Sequence, residues 1–422
     1  MSNFIGYRCS LCNAEYLPGQ VTYTCPKDGG NLDVALDYDS LRHKYQPEDV
    51  TSRREESLWR YLPLLPVPDP GGEGTSIRAA GWTPVYTLER LAAPLGLRHV
   101  WLKDESRNPT ASFKDRASAV VVARAREIGA DVVVTASTGN AGAALAGMAA
   151  ALGQKAVIFA PKSAPPAKVA QLLVYGAKVI LVDGSYDDAF DLTVKAAAEF
   201  GWYCRNTGYN PFTAEGKKTA AFEIWEWWRD EHRQWHEDGS LLDSHPPLTV
   251  FVSVGDGNII SGIHKGFKDL LALGWISRMP RLVGVQAEGS AAIANAFHAG
   301  VERITPVSAS TIADSISVDL PRDGVRAVRA ARETGGAYVT VSDAEILKAI
   351  AALGPLGIFA EPAGAASWAG LVKAAGQGLV SEADPIIVLN TGSGLKDVRA
   401  AMQAVSAAPI IEPTLEAVKK IL

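Results

Sequence analysis

One lysine and three polar turns hold most of the reactive chemistry in this sequence. Lys114 sits in Ser112-Phe113-Lys114-Asp115-Arg116, just after a turn set by Asn108-Pro109. A lysine amine condenses with carbonyls and moves protons at carbon. Ser137-Thr138-Gly139-Asn140 offers two hydroxyls, an amide and exposed backbone N–H groups ahead of an Ala/Gly-rich stretch. Such a helix start suits a carboxylate or a phosphate. In Gly255-Asp256-Gly257-Asn258-Ile259 the glycines let backbone N–H groups wrap an anion. Thr391-Gly392-Ser393-Gly394 is the third turn. No Walker-type lysine follows these glycines, and Gly255-Asp256-Gly257 lacks the third glycine of a dinucleotide fingerprint, so a nucleotide site is a poor reading.

Elements far apart must bring these turns together. Apolar runs at 132–135, 156–159, 178–182, 248–252, 282–285 and 385–389 alternate with Ala-rich helical stretches. Fully apolar strands of this length indicate burial on both faces, as in parallel sheets. Alternation of strands and helices indicates a doubly wound α/β chain. In such a sheet the loops at the carboxyl ends of the strands converge on one crevice, so distant turns build one site. One amine, one anion cradle and several polar turns fit a pyridoxal phosphate enzyme, which needs an amine, a phosphate anchor and a partner for the ring nitrogen.

The 422 residues carry 41 basic and 46 acidic side chains, a net charge of −5. With 47% apolar and 21% charged residues, a largely disordered, collagen-like or disulfide-stapled chain is excluded. The mild acidity argues against a nucleic-acid partner. The start lacks a basic segment followed by an apolar one, and the longest apolar stretch, 141–153, is too short to span a bilayer, so a cytoplasmic protein without a membrane partner is expected. Three of the four cysteines crowd the first 25 residues. Residues 1–35 form one segment, and residues 36–78, rich in proline toward their end, read as an arm or linker. The stretch Ala221 to Asp230 reads as a helix with an aromatic face, continued by a polar loop through Trp235, His236, Asp238 and Gly239; that face is either a substrate or partner surface or, as favoured, a buried helix face. Cys204, after Trp202-Tyr203, reads as a buried core thiol.

The ordered set Ser112-Phe113-Lys114-Asp115-Arg116, Ser137-Thr138-Gly139-Asn140, Gly255-Asp256-Gly257-Asn258-Ile259, Glu361-Pro362-Ala363 and Thr391-Gly392-Ser393-Gly394-Leu395-Lys396-Asp397 resembles the threonine synthase family. Asn210-Pro211-Phe212-Thr213-Ala214-Glu215-Gly216-Lys217-Lys218-Thr219 is similar to a further segment of that family. The resemblance covers residues 80–400 and implies a fold type II pyridoxal phosphate enzyme with two three-layer lobes of mostly parallel sheet. It places residues 110–220 in the small lobe and residues 79–109 and 221–422 in the large one. By analogy a homodimer is expected. Lys114 would carry the cofactor as a Schiff base and act as acid and base. Asn140 would meet the ring's 3′-oxygen, the backbone of Gly255, Asp256, Gly257, Asn258 and Ile259 the phosphate, and Thr391 the pyridine nitrogen. Ser137, Thr138, Gly139 and Asn210 would serve a small amino-acid substrate. Cys9-x-x-Cys12 and Cys25-x-x-Asp28 resemble a zinc ribbon with Asp28 in the fourth position; the other reading is a ribbon held by turns and packing alone.

The implied reaction converts O-phosphohomoserine and water to threonine and phosphate, which requires a second anion site. Here the sequence departs from the family. Ala141 replaces a hydroxyl after Asn140, Asp191 stands where a base is expected, and the 311–318 segment lacks an arginine. Arg116, Lys168, Lys217 and Lys265 are candidates to replace that charge. A second reading is β-elimination or β-replacement on a non-phosphorylated amino acid, as in an ammonia-lyase or dehydratase. A non-catalytic pyridoxal phosphate binder is disfavoured by the intact lysine and loops. His264, just past the phosphate loop, is read as structural rather than as a cofactor neighbour; Glu361 either caps a helix or orients the cofactor pocket; and Glu215 bonds substrate or Lys217, with a structural pair favoured.

Overall fold

The computed structural model describes residues 3–233 and 246–422. Thirteen strands among these residues form three sheets. In chain order they are β1 (Phe4–Cys9), β2 (Glu15–Tyr16), β3 (Leu32–Leu36), β4 (Val85–Thr87), β5 (Val100–Asp104), β6 (Val132–Ala136), β7 (Lys155–Pro161), β8 (Lys178–Val182), β9 (Tyr203–Cys204), β10 (Thr249–Ser253), β11 (Arg281–Ala287), β12 (Ala337–Val341) and β13 (Ile386–Asn390).

The chain begins with an antiparallel ribbon, β2-β1-β3. It then enters a six-stranded sheet through β4 and β5, leaves to build a four-stranded sheet of order β8-β7-β6-β9, and returns at β10. The six-stranded order is β12-β11-β10-β13-β5-β4, parallel except where β4 meets β5. The four-stranded sheet is wholly parallel. This is the expected fold class: two lobes of mostly parallel sheet behind a small ribbon.

Hydrophobic burial explains the sheets. Every residue of β6, β10 and β13 is buried, as helix cover on both faces requires. Each buried valine or leucine contributes about 1.5–3 kcal/mol. The ribbon docks through Phe4 and Tyr7, whose rings lie 5.7 and 6.4 Å from that of Phe212. The helix Thr219–Arg233 buries Phe222, Ile224 and Trp225, while Trp227 meets Trp101 edge-on at 5.1 Å, so its aromatic face is mainly packing. The expected polar loop at Trp235, His236, Asp238 and Gly239 lies outside the described residues. No helix among the described residues is long and apolar enough to cross a membrane.

Candidate active site

The turn after β13 is the hub of the site. Phe113 N–H donates to Thr391 O (2.9 Å) and Ser393 N–H to Ala111 O (3.1 Å), so the 111–113 segment runs antiparallel to 391–393. On its other side Glu361 N–H donates to Gly392 O (3.0 Å). One short segment thereby places Lys114, first residue of the helix Lys114–Glu127, and Glu361, N-cap of the helix Pro362–Gly376, around a common space. Ala111 reaches Lys114 through a left-handed φ of 64°, a conformation costing a non-glycine residue roughly 1–2 kcal/mol.

Burial lowers the pKa of the Lys114 amine; Arg205 lowers it too, while Glu361 and Asp256 oppose the shift. Glu361 is itself buried, and desolvation raises its pKa. Its carboxylate accepts from Asn140 Nδ2 at 2.9 and 3.0 Å, which fixes the amide at the start of the helix Asn140–Ala151.

The loop after β10 opens the helix Asn258–Leu273. Gly257 has φ 88°, and a Cβ there would strike Asp323 O and Ala327, so only glycine fits. Asn258 is held from both sides: its Nδ2 donates to Asp323 Oδ2 (2.7 Å), and its Oδ1 accepts from Thr213 Oγ1 (3.1 Å) and from Lys217 Nζ. Lys217 is buried, and desolvation pushes its pKa well below the ordinary value, helped by Lys114 and Arg205. Arg205 is buried too, pushed down to about 10 by desolvation, and its Nη2 has no hydrogen-bond partner.

An open cleft lies beside Asn140 and Glu361; Lys114, Arg205, Lys217 and the 255–259 loop are not among its lining residues. Thr138, Gly139, Asn140 and Glu361 line one part of it, Lys168, Gln171, Asp314, Ser315 and Lys396 another. Lys168 Nζ lies 2.6 Å from Asp314, and Lys396 Nζ donates to Gln171 Oε1 (2.9 Å).

The profile of the "Pyridoxal-phosphate dependent enzyme" family matches residues 77–392. The threonine synthase of Methanocaldococcus jannaschii is 39% identical over 420 residues, 98% of this chain and 98% of that protein. The chain belongs to the threonine synthase family of pyridoxal-phosphate-dependent enzymes. The threonine synthase of Methanosarcina acetivorans is 36% identical over 98% of this chain and 97% of its own. Among solved structures, the processed form of threonine deaminase isoform 2 from Solanum lycopersicum superposes with a TM-score of 0.64 at 23% identity, covering 81% of this chain and 92% of its own. Diaminopropionate ammonia lyase from Escherichia coli superposes at 0.63 and 21%, covering 76% of this chain and 87% of its own. At these identities the two structures show a shared fold.

The enzyme's own charges fit its cofactor. Lys114, Lys217 and Arg205 are three desolvated cations with Asp256 as a common acidic neighbour, so the site lacks negative charge that a phosphate supplies.

The other expected residues are spread between the cleft and the buried core. Thr138, Gly139 and Asn140 line the cleft, whereas Ser137 is not among its lining residues. Thr391 is buried next to Phe113. Asn210 is buried behind β9 with its amide engaged by backbone: Nδ2 donates to Cys204 O (2.7 Å), and Oδ1 accepts from Phe212 N–H (2.9 Å). Of the candidate replacement charges, Lys168 lines the cleft and Lys217 lies beneath the glycine loop. Arg116 is locked between Glu105 and Glu223, and Lys265 between Asp269 and Glu215. Glu215 pairs with Lys218 at 2.6 Å. Asp191 is exposed on the helix Tyr186–Phe200. His264 is buried 3.3 Å from Glu333 and pushed down to about 3 by desolvation and Lys268, so it is a neutral packed imidazole. Cys204 is a buried thiol, pushed up to about 12 by burial. Two residues escaped sequence reasoning. Lys396 was visible in the last motif without a role, and Arg205 follows a two-residue strand too short to announce a loop.

Proposed function

We propose that this enzyme is a threonine synthase, releasing phosphate from O-phosphohomoserine and adding water to give threonine. The observation that carries this reading is the cleft, with a carboxylate-type cradle at Thr138–Asn140 and two lysines, Lys168 and Lys396, lining the same space. An amino acid with an anionic side-chain end needs both.

Pyridoxal phosphate, when bound, supplies an aldehyde for the Lys114 amine and an electron-withdrawing ring. Lys114, its amine kept less basic by burial, takes and returns protons at the substrate carbons. Backbone N–H groups of Gly255, Asp256, Gly257, Asn258 and Ile259 would hold the cofactor phosphate at a helix start, with Lys217 and Arg205 to balance its charge. Asn140, oriented by Glu361, would meet the ring's oxygen, and Thr391 would offer the ring nitrogen a neutral hydroxyl. Ser137, Thr138 and Gly139 receive the substrate carboxylate, while Asn210 shapes the turn before the helix Phe212–Lys217. Lys168 and Lys396 receive the leaving phosphate, with Asp314 and Gln171 as their resting partners. A homodimer and a cytoplasmic location accompany this reading by analogy with the family.

The test is incubation with O-phosphohomoserine, serine, threonine and diaminopropionate, scoring phosphate, threonine, ammonia and keto acid separately. Phosphate and threonine in equal amounts from O-phosphohomoserine are expected. Ammonia and keto acid from the other substrates, with no phosphate release, would move the enzyme to the lyases acting on non-phosphorylated amino acids.

A further inference from the structure

The N-terminal ribbon ends in a cluster that the cofactor chemistry does not use. Cys9, Cys12, Cys25 and Asp28 come from two turns, and their ligand atoms all lie within 4.8 Å of one another. A tetrahedral zinc with Zn–S about 2.3 Å and Zn–O about 2.0 Å has S···S edges near 3.8 Å and S···O edges near 3.5 Å. The cluster shows 3.7 Å between Cys12 Sγ and Cys25 Sγ, and 3.4 and 3.6 Å from Cys9 Sγ to the two Asp28 oxygens. The sulfur separation is far beyond a disulfide bond of about 2.05 Å. Surrounding groups orient the ligands as outer-shell partners of a metal do. Leu11 N–H points to Cys9 Sγ (3.3 Å), Tyr16 Oη sits 3.1 Å from Cys25 Sγ, and Gly30 N–H donates to Asp28 Oδ1 (2.8 Å). A Cβ on Gly30 would press against both Cys9 Sγ and Asp28 Oδ1, so the glycine leaves this space to the ligands.

We propose that these four residues bind one zinc ion, and that the ion holds the ribbon in the register that braces the glycine loop of the cofactor site. A continuous set of polar contacts joins the two places. Asp33, on β3, receives Arg326 Nη1 at 2.6 Å. Arg326 also grips Asp323 at 2.6 and 2.8 Å, and Asp323 receives Asn258 Nδ2, the first residue after Gly257, at 2.7 Å. Alongside, Asn31 Nδ2 donates to Gly208 O and to Arg322 O, and Arg329 donates to Ser10 O between the two knuckle cysteines. The strands β1 and β3 that carry these contacts pair Cys9 with Leu32 and Arg8 with Asp33, so a metal fixing Cys9 against Asp28 fixes the position of Asp33.

The test uses the full-length holoenzyme produced in zinc-supplied medium. Metal analysis is expected to find about one zinc per chain, lost in Cys12→Ser and Cys25→Ser, whose folding is checked by circular dichroism. Chelation of the wild type by dipicolinate needs no variant and is expected to weaken pyridoxal phosphate binding, read by absorbance titration, by roughly 2–30-fold, the usual range for coupling through such contacts. Added zinc should restore it. A chain purified with no zinc, with zinc retained in Cys12→Ser and Cys25→Ser alike, or with iron in the cluster overturns the site. Zinc that leaves without changing cofactor affinity overturns the bracing role. Neither readout depends on which amino acid the enzyme turns over.

Discussion

Lys114 and Arg116 stand two residues apart on one helix, yet their surroundings differ completely. Arg116 is fully buried and fork-bonded to Glu105 at 2.7 and 2.8 Å and to Glu223 at 2.5 and 2.7 Å. Burial alone would raise the Glu223 pKa, but Arg116 and Lys103 hold it down to about 2. Arg116 itself is pushed up by the two carboxylates against its desolvation. Among the described residues Lys114 has no carboxylate at salt-bridge distance, and desolvation lowers its pKa against the more distant Glu361 and Asp256. The same division recurs at Lys217 and Lys218. Lys218 pairs with Glu215 at 2.6 Å and Asp269 at 2.7 Å, whereas the hydrogen-bond partner of Lys217 Nζ among the described residues is neutral Asn258, which Thr213 also meets. The helices Lys114–Glu127 and Phe212–Lys217 pack so closely that a Cβ on Gly216 would strike the Arg116 backbone, which brings the two contrasting pairs side by side. Buried cations with acids in place serve the fold; buried cations without them await a ligand.

The largest effects should break this contrast directly. Lys114→Ala should lower turnover at least about a thousandfold and abolish the visible absorbance of lysine-linked cofactor while leaving the thermal midpoint near that of the wild type. A colourless wild type after added pyridoxal phosphate would sink the assignment. Arg116→Met should do the reverse. It leaves Glu105 and Glu223 facing each other and should cost about 3–5 kcal/mol in urea unfolding, with the cofactor signal kept in the folded fraction. Equal stability in Arg116→Met would place the network outside the core of the fold.

The same contrast explains which elements were legible in the sequence. The apolar runs correspond to β6, β7, β8, β10, β11 and β13. Five of them are largely buried, as strands covered on both faces are, whereas β8 is an edge strand whose residues are exposed or half-buried, so its apolar run does not mark two-sided burial. β5 was not legible: Val100-Trp101-Leu102-Lys103-Asp104 ends in two charges that are buried only because Glu223 and Asn390 meet them. β12 is an edge strand in which half-buried Ala337 and Thr340 interrupt the apolar residues, and β4 and β9 are too short to carry a pattern. In the site, glycine turns and Lys114 were legible because their chemistry is local. The Asn140–Glu361 bond spans 221 positions, and the sorting of Arg116, Lys217, Lys218 and Lys265 into paired and unpaired cations depends in part on acids from other helices: Glu223 for Arg116, Asp269 for Lys218 and Glu215 for Lys265.

A smaller effect sharpens the reading of the cleft. Lys168→Ala and Lys396→Ala should each raise KM for O-phosphohomoserine about 10–100-fold, as expected for losing one charged hydrogen bond of about 1.5–3 kcal/mol. Slow turnover of serine, if present, should change little, since serine has no phosphate to engage. Equal losses on both substrates would assign these lysines to the fold or to the carboxylate end.

The smallest effect concerns Lys217 and depends on pH. In the protein without cofactor, desolvation and the neighbouring cations keep its pKa below the unfolded value of about 10.4. Between the lowered value and 10.4 the unfolded chain binds a proton that the folded chain does not. That favours unfolding at neutral pH and fades as pH rises, by at most about 1.4 kcal/mol per pH unit. Lys217→Met removes the titration. The stability of the wild type relative to Lys217→Met should therefore increase from pH 7 to pH 9.5, measured as urea midpoints without cofactor. With the phosphate bound, the cation gains its partner, so the same variant should bind pyridoxal phosphate about tenfold more weakly, a loss of about 1.4 kcal/mol. Lys218→Met, which strands Glu215 and Asp269, should be less stable than the wild type at pH 7. If Lys217→Met behaves as Lys218→Met does, with no change in the gap over this pH range, then Lys217 belongs with the paired cations and the glycine loop holds its phosphate by backbone alone.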